Sequence, residues 1–426
     1  MNRIEEMIRE LCPEGVEYKP LWKVTAWDKK FNAVERDKQK KVYSYKYLLA
    51  NELFELEQEN GNVRLLSTGE YTGWTTEELA GEYLYEGEIV TIPWGKSIGA
   101  KNPIKYYKGK FVTADNRIAT SLDTNVLNNK YLYFWMMSRS DAIDKFYRGA
   151  GIKHPSMKNI LEMEIPVPPL AIQEEIVDIL DKFTELEAEL EAELEARRKQ
   201  YEYYRNKLLN FKNFGGGYSE DVKLCKLSDL GVFYGGLTGK SKSDFTDGNA
   251  KFITYMNAYS NIAIDTNIND MVKIAEGEKQ NKIEYGDVVF TGSSETPDDC
   301  GMSAVLTTEP NEDLYLNSFC FGFRLHDKTI LLPDFMKFLF RSEHVRTQIV
   351  KTASGVTRFN ISKKRFGDVV IPIPQIAEQH RIVAILDKFE VLVNDISEGL
   401  PAEIAARRQQ YEYYRDKLLT FTKATA

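Results

Sequence analysis

The chain has 426 residues, 43% hydrophobic and 28% charged, with a mean hydropathy of −0.41, which leaves room for about three compact units at roughly 150 residues each. The balance is that of a globular protein: no stretch nears the ~18 consecutive apolar residues of a membrane span, and the opening MNRIEEMIRE is too acidic for a signal peptide. The net charge is −8, but residues 171–196 alone carry nine excess negative charges and leave the rest of the chain at +1, so the acidic total does not exclude nucleic acid.

In chain order, the first segment opens with basic residues interleaved with tyrosines: Lys29, Lys30, Arg36, Lys38, Lys40 and Lys41 precede Tyr43, Tyr45 and Tyr47. A β-rich run EIVTI at 88–92 leads into a Gly-rich loop with Trp94, Lys96 and Lys101, and residues 130–138 read as a helix. The loop GAGIKHPSM at 149–157 carries Lys153 and His154 and is followed by the proline pair IPVPP.

From 171 to 211 apolar residues recur every three or four positions, at Ile172, Ile176, Ile179, Leu180, Phe183, Leu186, Leu190, Leu194, Tyr201, Tyr204, Leu208 and Phe211, with no Gly or Pro between. One helix of about 41 residues and roughly 60 Å is predicted.

The second segment repeats the plan. Lys240 and Lys242 sit in a Gly-containing loop, DVVFT at 287–291 and FCFGFRL at 319–325 read as strands, and 334–341 reads as a helix. The loop ASGVTRFNI at 353–361 carries Arg358 and Asn360. A second apolar stripe then runs through Ile382, Ile385, Leu386, Phe389, Ile404, Tyr411, Tyr414, Leu418 and Phe421, interrupted at SEGLP, 397–401, where Gly ends one helix and Pro starts the next.

This is an internal repeat. IVDILDKF at 176–183 returns as IVAILDKF at 382–389, and ARRKQYEYYRNKLLNF at 196–211 returns as ARRQQYEYYRDKLLTF at 406–421. Fainter echoes pair GVEYKPL with DVKLCKL, YEGEIV with EYGDVV, and the two loops before the proline pairs. The fold class that follows is mixed α+β: two α/β domains of related plan separated by long, antiparallel coiled-coil helices that cover each other's apolar stripes.

Chemistry is hard to find. GKS occurs at 95–97 and 239–241, but the glycine a phosphate loop needs five residues before Gly95 and Gly239 is Val90 and Tyr234. Cys12, Cys225, Cys300 and Cys320 form no CxxC, and His154, His326, His344 and His380 form no i,i+4 pair, so neither a metal site nor a disulfide is expected. Asp298 and Asp299 beside Cys300 read as a polar turn. No catalytic residue emerges. Basic and amide side chains in loops suit DNA instead, since Lys and Arg hold phosphates, Arg reads guanine and Asn reads adenine. Lys29, Lys30, Lys38, Lys96, Lys101, Lys153, His154, Lys240, Lys242, Arg358 and Asn360 are therefore the candidate DNA-binding residues.

Two divergent segments separated by a helix, with near-repeated IVxILDKF and QYEYYRxxLLxF blocks and ELEA tetrads at 185–196, closely resemble the specificity subunit of type I restriction-modification systems over essentially the whole chain. The tetrads resemble the short repeat of the IC-type subfamily, whose Thr-Ala-Glu-Leu unit is here Glu-rich. The resemblance implies target-recognition domains at 1–168 and 213–374, each binding half of a split, asymmetric site in double-stranded DNA, and conserved helical regions at 169–212 and 375–426. It implies that Ile176, Phe183, Leu186, Leu190, Leu194, Tyr201 and Tyr204, with Ile382, Phe389, Tyr411 and Tyr414, form the spacer and dock two modification (M) subunits, the faces of Ile176 and Ile382 meeting those partners. S-adenosylmethionine would belong to the M subunits, ATP and magnesium to restriction (R) subunits, and no cofactor to this chain, in a phage-defence complex. Two other readings are a recognition subunit of a related bifunctional restriction enzyme or other methylation-based defence system, and a coiled-coil scaffold that binds protein.

Overall fold

The computed structural model describes residues 2–95, 104–211, 221–395 and 397–424, which divide into two compact units. The first unit takes the chain up to Leu190 and from Ile404 onward; the second takes Glu191–Glu403.

The first unit opens with a helix, Asn2–Leu11, and has ten strands: β1 (Tyr18–Pro20), β2 (Thr25–Trp27), β3 (Val63–Leu66), β4 (Gly73–Thr75), β5 (Tyr85–Pro93), β6 (Lys105–Thr113), β7 (Asn116–Ser121), β8 (Tyr147–Arg148), β9 (His154–Pro155) and β10 (Glu164–Pro166). Six form one sheet in the order β2-β7-β5-β6-β3-β4, antiparallel except where β3 runs parallel to β6. The run EIVTI is apolar without alternation because β5 is covered on both faces. Ile89 packs with Leu66, Phe111 and Ile118, while Val90 and Ile92 face the helix Asn129–Ser138 and its buried Tyr131, Leu132 and Trp135. Asn128 caps that helix, its side chain accepting from the amides of Lys130 and Tyr131.

The second unit has β11 (Lys223–Lys226), β12 (Gly231–Gly235), β13 (Ala250–Ile253), β14 (Met271–Val272), β15 (Val288–Thr291), β16 (Ser293–Ser294), β17 (Ser303–Val305), β18 (Leu314–Leu316), β19 (Cys320–Leu325), β20 (Ala353–Ser354), β21 (Phe359–Ile361) and β22 (Val370–Ile373). Its main sheet has the order β12-β19-β15-β17, and Phe233, Phe290, Phe321 and Phe366 interlock over it. Gly322 interrupts FCFGFRL because the Tyr234 ring lies across it: a Cβ there would come 2.0 Å from Tyr234 Cζ.

The repeat is visible in local geometry. β1 pairs with β10 as β11 pairs with β22, so each proline pair ends a two-stranded ribbon. Directly after each ribbon a helix begins whose fourth residue is a fully buried glutamine. Gln173 Nε2 donates to the carbonyls of Val126 (2.8 Å) and Pro168 (2.7 Å) while its Oε1 accepts from the amide of Asn128 (2.9 Å). Gln379 does the same with the carbonyls of Ile330 and Pro374 and the amide of Leu332, each at 2.9 Å.

The predicted long helix runs Leu170–Leu208, and the second block is two helices, Ile376–Asn394 and Leu400–Leu418, broken at the expected Gly399 and Pro401. In the first unit Phe183 stacks on Tyr414 (5.7 Å) and Glu187 pairs with Arg408, so the two helices run antiparallel there. In the second unit the repeat-related residues meet in exchanged roles, Phe389 stacking on Tyr204 at 5.5 Å. Leu186, Leu190 and Leu194 are only half-buried.

One expectation is corrected. Ile176 and Ile382 are wholly buried within their own units, and Tyr201 is 6% exposed, so these side chains face cores and are closed to partners. The exposed aromatic residues of the repeated QYEYYR blocks are Tyr203 and Tyr413, at 59% and 62%.

Candidate nucleic-acid interface

The two loops singled out before the proline pairs are both β-hairpins. In the first unit β8 and β9 flank a turn at 149–153, and Gly149 has φ +146°, a conformation that L side chains rarely adopt. The Tyr147 hydroxyl anchors the hairpin by donating to the Pro93 carbonyl at the end of β5 (2.7 Å), and Ile152 projects from the tip, 65% exposed. In the second unit β20 and β21 flank Gly355, at φ +154°, with Val356 92% exposed at the tip.

Each hairpin lays one side chain on a residue just beyond a central strand of its unit, Trp94 after β5 and Ser293 two residues after β15. His154 Nδ1 lies 2.8 Å from the Trp94 carbonyl and its ring packs on the Trp94 indole at 5.0 Å. A carbonyl only accepts, so in the neutral ring Nδ1 carries the hydrogen and Nε2 is left as an acceptor. In the second unit Arg358 donates from Nε (3.3 Å) and Nη2 (3.0 Å) to Ser293 Oγ, and its guanidinium lies over Phe319 at 5.5 Å. Asn360 is exposed on β21, opposite Ser293.

Around Trp94 the first unit gathers positive charge. Lys29 Nζ lies 5.8 Å from both the Trp94 and Tyr47 rings, and the Arg117 guanidinium lies 4.8 Å from Trp94. Arg117 is itself buried, bound to Asp28 (2.6 Å) and to Asp115. Burial pushes the Asp28 carboxyl up to about 6 against the pull of Arg117. Lys30 is exposed, Lys153 is half-buried in the turn of the hairpin, and Lys96 and Lys101 lie outside the described residues.

Two candidates are corrected. Lys38 is held by Glu162 (2.7 Å) and Glu35 (2.8 Å), hydrogen bonds that raise its pKa, so its charge is already matched. Lys240 is 9% exposed, donating to the Lys273 carbonyl and to Glu278, whose pKa it holds down at about 2; it closes a loop instead of facing a phosphate. Lys242 remains exposed.

The structure also shows cations the sequence reading missed. Arg64 lies over Trp74 (4.5 Å), and Lys105 donates to the Ser67 carbonyl (2.6 Å); burial, with Arg64 adding to it, pushes the Lys105 ammonium down to about 8. Forty-one positions separate the two residues, and only the path of the sheet makes them neighbours.

Among the described residues no cluster of three or more His, Cys, Asp or Glu could hold a metal ion, and no helix is long and apolar enough to cross a membrane. The described residues form two units of one plan, each presenting a glycine-bent hairpin, with different side chains at the repeat-related position.

Comparison with known proteins gives this plan its family. The chain belongs to the type I restriction modification DNA specificity domain family, whose sequence profile matches residues 40–196 and 219–406. It is 34% identical over 317 residues to the type I restriction enzyme EcoR124I/EcoR124II specificity subunit of Escherichia coli, covering 72% of this chain and 74% of that one. It is 32% identical over 364 residues to a putative type I restriction enzyme specificity subunit of Haemophilus influenzae, covering 80% and 84%. The fold is shared with the S subunit of the type I system of M. genitalium, at 13% identity and a TM-score of 0.54 over 95% of this chain and 96% of that one. Specificity subunits of type I systems are non-catalytic.

Proposed function

We propose that the chain, as the DNA-recognition subunit of a type I system, reads a split, non-palindromic site in duplex DNA, one half with each unit. The observation that carries this is the pair of equivalent hairpins with unlike side chains, His154 in one and Arg358 in the other. One plan used twice binds two half-sites, and different side chains at the same position bind different bases. The target-recognition domains are assigned to 1–168 and 213–374, and the helical regions to 169–212 and 375–426; the end of β10 at Pro166 and the start of the long helix at Leu170 support the first boundary.

Tyr203 and Tyr413 stand exposed in the identical QYEYYR stretches of the two helical blocks, which supports two like partners docking on equivalent surfaces. We assign these to two M subunits that carry S-adenosylmethionine and methylate adenine, with R subunits supplying ATP- and magnesium-dependent cleavage in the cytoplasm. A related solved structure at 13% identity and TM-score 0.55 describes complex assembly of the type I system. Long-read methylation sequencing of DNA from cells producing this chain with its M subunits tests the reading: a split motif with unlike halves is expected, and a palindromic motif or none would refute it.

A further inference from the structure

Beside the second hairpin lies a cleft of about 600 Å³ whose walls include Tyr255, Tyr259, Phe319 and Arg358 together with Glu295 and Asp299. Three features define what it can take. Ser293 binds the Nε–Nη2 side of the Arg358 guanidinium, and the guanidinium carbon lies over the Phe319 ring, so the end-on pair of Nη1 and Nη2 hydrogens is left as a two-donor fork. Ser293 is itself 6% exposed on β16, and β16 is paired with β21, so the fork is held by strands instead of a loose loop. Asp299 accepts from the Tyr259 hydroxyl (2.9 Å) and Thr296 Oγ1 (2.6 Å), whereas the Glu295 side chain is exposed into the same cleft.

A phosphate is a poor occupant, because the cleft would set it against two carboxylates. The major-groove edge of a base pair is a good one. Two adjacent acceptors for an arginine fork occur only on guanine, at O6 and N7, and the amine beside them on the paired cytosine is a donor that a carboxylate accepts. We propose that this cleft reads a G·C pair in the half-site of the second unit: Arg358 donates to guanine O6 and N7, Glu295 accepts from cytosine N4, and Ser293 and Phe319 are positioning residues for the fork. The proposal rests on the DNA-recognition reading above and adds to it a residue, a base and a polarity.

The test is methylation mapping with the full chain and its M subunits. Arg358→Ala and Arg358→Lys should make one G·C position in one half-site degenerate, with discrimination there falling roughly 5- to 150-fold. The other half-site should stay unchanged, which also shows that the variant folds. Glu295→Gln should relax the same position to a smaller extent, Phe319→Leu should weaken it, and Phe319→Tyr should restore it, a rescue that mere packing loss would not give. A uniform loss across all sites, with the salt dependence of binding reduced by about one counterion, would assign Arg358 to a phosphate and overturn the proposal. So would an unaltered motif in the Arg358 variants. A wild-type complex that methylates no split motif would overturn the recognition reading, and this proposal with it.

Discussion

Gln173 offers a quantitative test of how each unit is closed. Its side chain is fully buried and satisfies two carbonyls and one amide at the joint between the proline ribbon, the long helix and the helix Asn129–Ser138. Gln173→Met keeps the volume but leaves those three backbone groups without partners, and each buried group so stranded costs about 1–3 kcal/mol. A destabilisation of about 3–9 kcal/mol is expected from the three groups, a large share of the 5–15 kcal/mol that holds a typical domain. Gln173→Glu should be worse at neutral pH, since a buried carboxylate would face the carbonyls of Val126 and Pro168 with no hydrogen to offer. Its folded pKa would be raised, so the loss should ease toward acid, where the carboxyl gains a proton to donate. Urea unfolding gives the magnitude, and hydrogen exchange by mass spectrometry gives the place. Protection should fall at 126–132 and 168–180 and persist at 330–339, where Gln379 is intact. Gln379→Met should give the converse pattern. A Gln173→Met protein within 1 kcal/mol of wild type would refute the claim that this hydrogen-bonded joint holds the unit together.

Three further outcomes follow. Gly322→Ala drives a methyl into the Tyr234 ring, and overpacking of this kind costs about 1–3 kcal/mol or more; calorimetry should show the loss, and adding Tyr234→Ala should return part of it. Asp28 has a folded pKa of about 6, raised by burial above the usual 3.8, so its contribution favours folding below pH 4 and is lost as pH rises through 6, about 3 kcal/mol in all. The Tm of wild type minus that of Asp28→Asn should therefore increase toward acid, and a flat difference would refute the assignment. Deleting residues 189–192, one ELEA tetrad, shortens the long helix by about 6 Å and turns it by a net ~40°. Methylation mapping should then find the same half-sites with a gap one or two base pairs shorter, while deleting two residues should abolish activity by turning Leu186 and Leu190 off the stripe.

What the sequence made legible was whatever depends on local pattern. Periodicity placed the long helix within a few residues of Leu170–Leu208, and Gly399 with Pro401 marked the break in its counterpart. Alignment of the two halves found the hairpins before their strands could be named. Which face of a stripe meets which partner was not legible: Ile176 and Ile382 looked available because their periodicity is that of any covered face, and the core residues that cover them come from distant segments. The same limit misplaced Lys38 and Lys240. Their carboxylate partners Glu162 and Glu278 lie 124 and 38 positions away, and only the fold brings them together. The cleft at Arg358 was half visible, since Arg358 stood out in its loop while Ser293 and Phe319 are ordinary residues until β16 pairs with β21.

The make-up of the first unit has a consequence for synthesis. It needs residues 404 onward, among them Tyr411 and Tyr414 against Phe183, whereas the second unit is one unbroken stretch of chain. On the ribosome, at about 5–20 residues per second, the 213 residues between Leu190 and Ile404 take roughly 10–40 s to emerge. The end of the molecule made first is therefore finished last. Through that interval Phe183 and its neighbours lack their cover, and a chain that stops before residue 404 lacks the tyrosines that supply it.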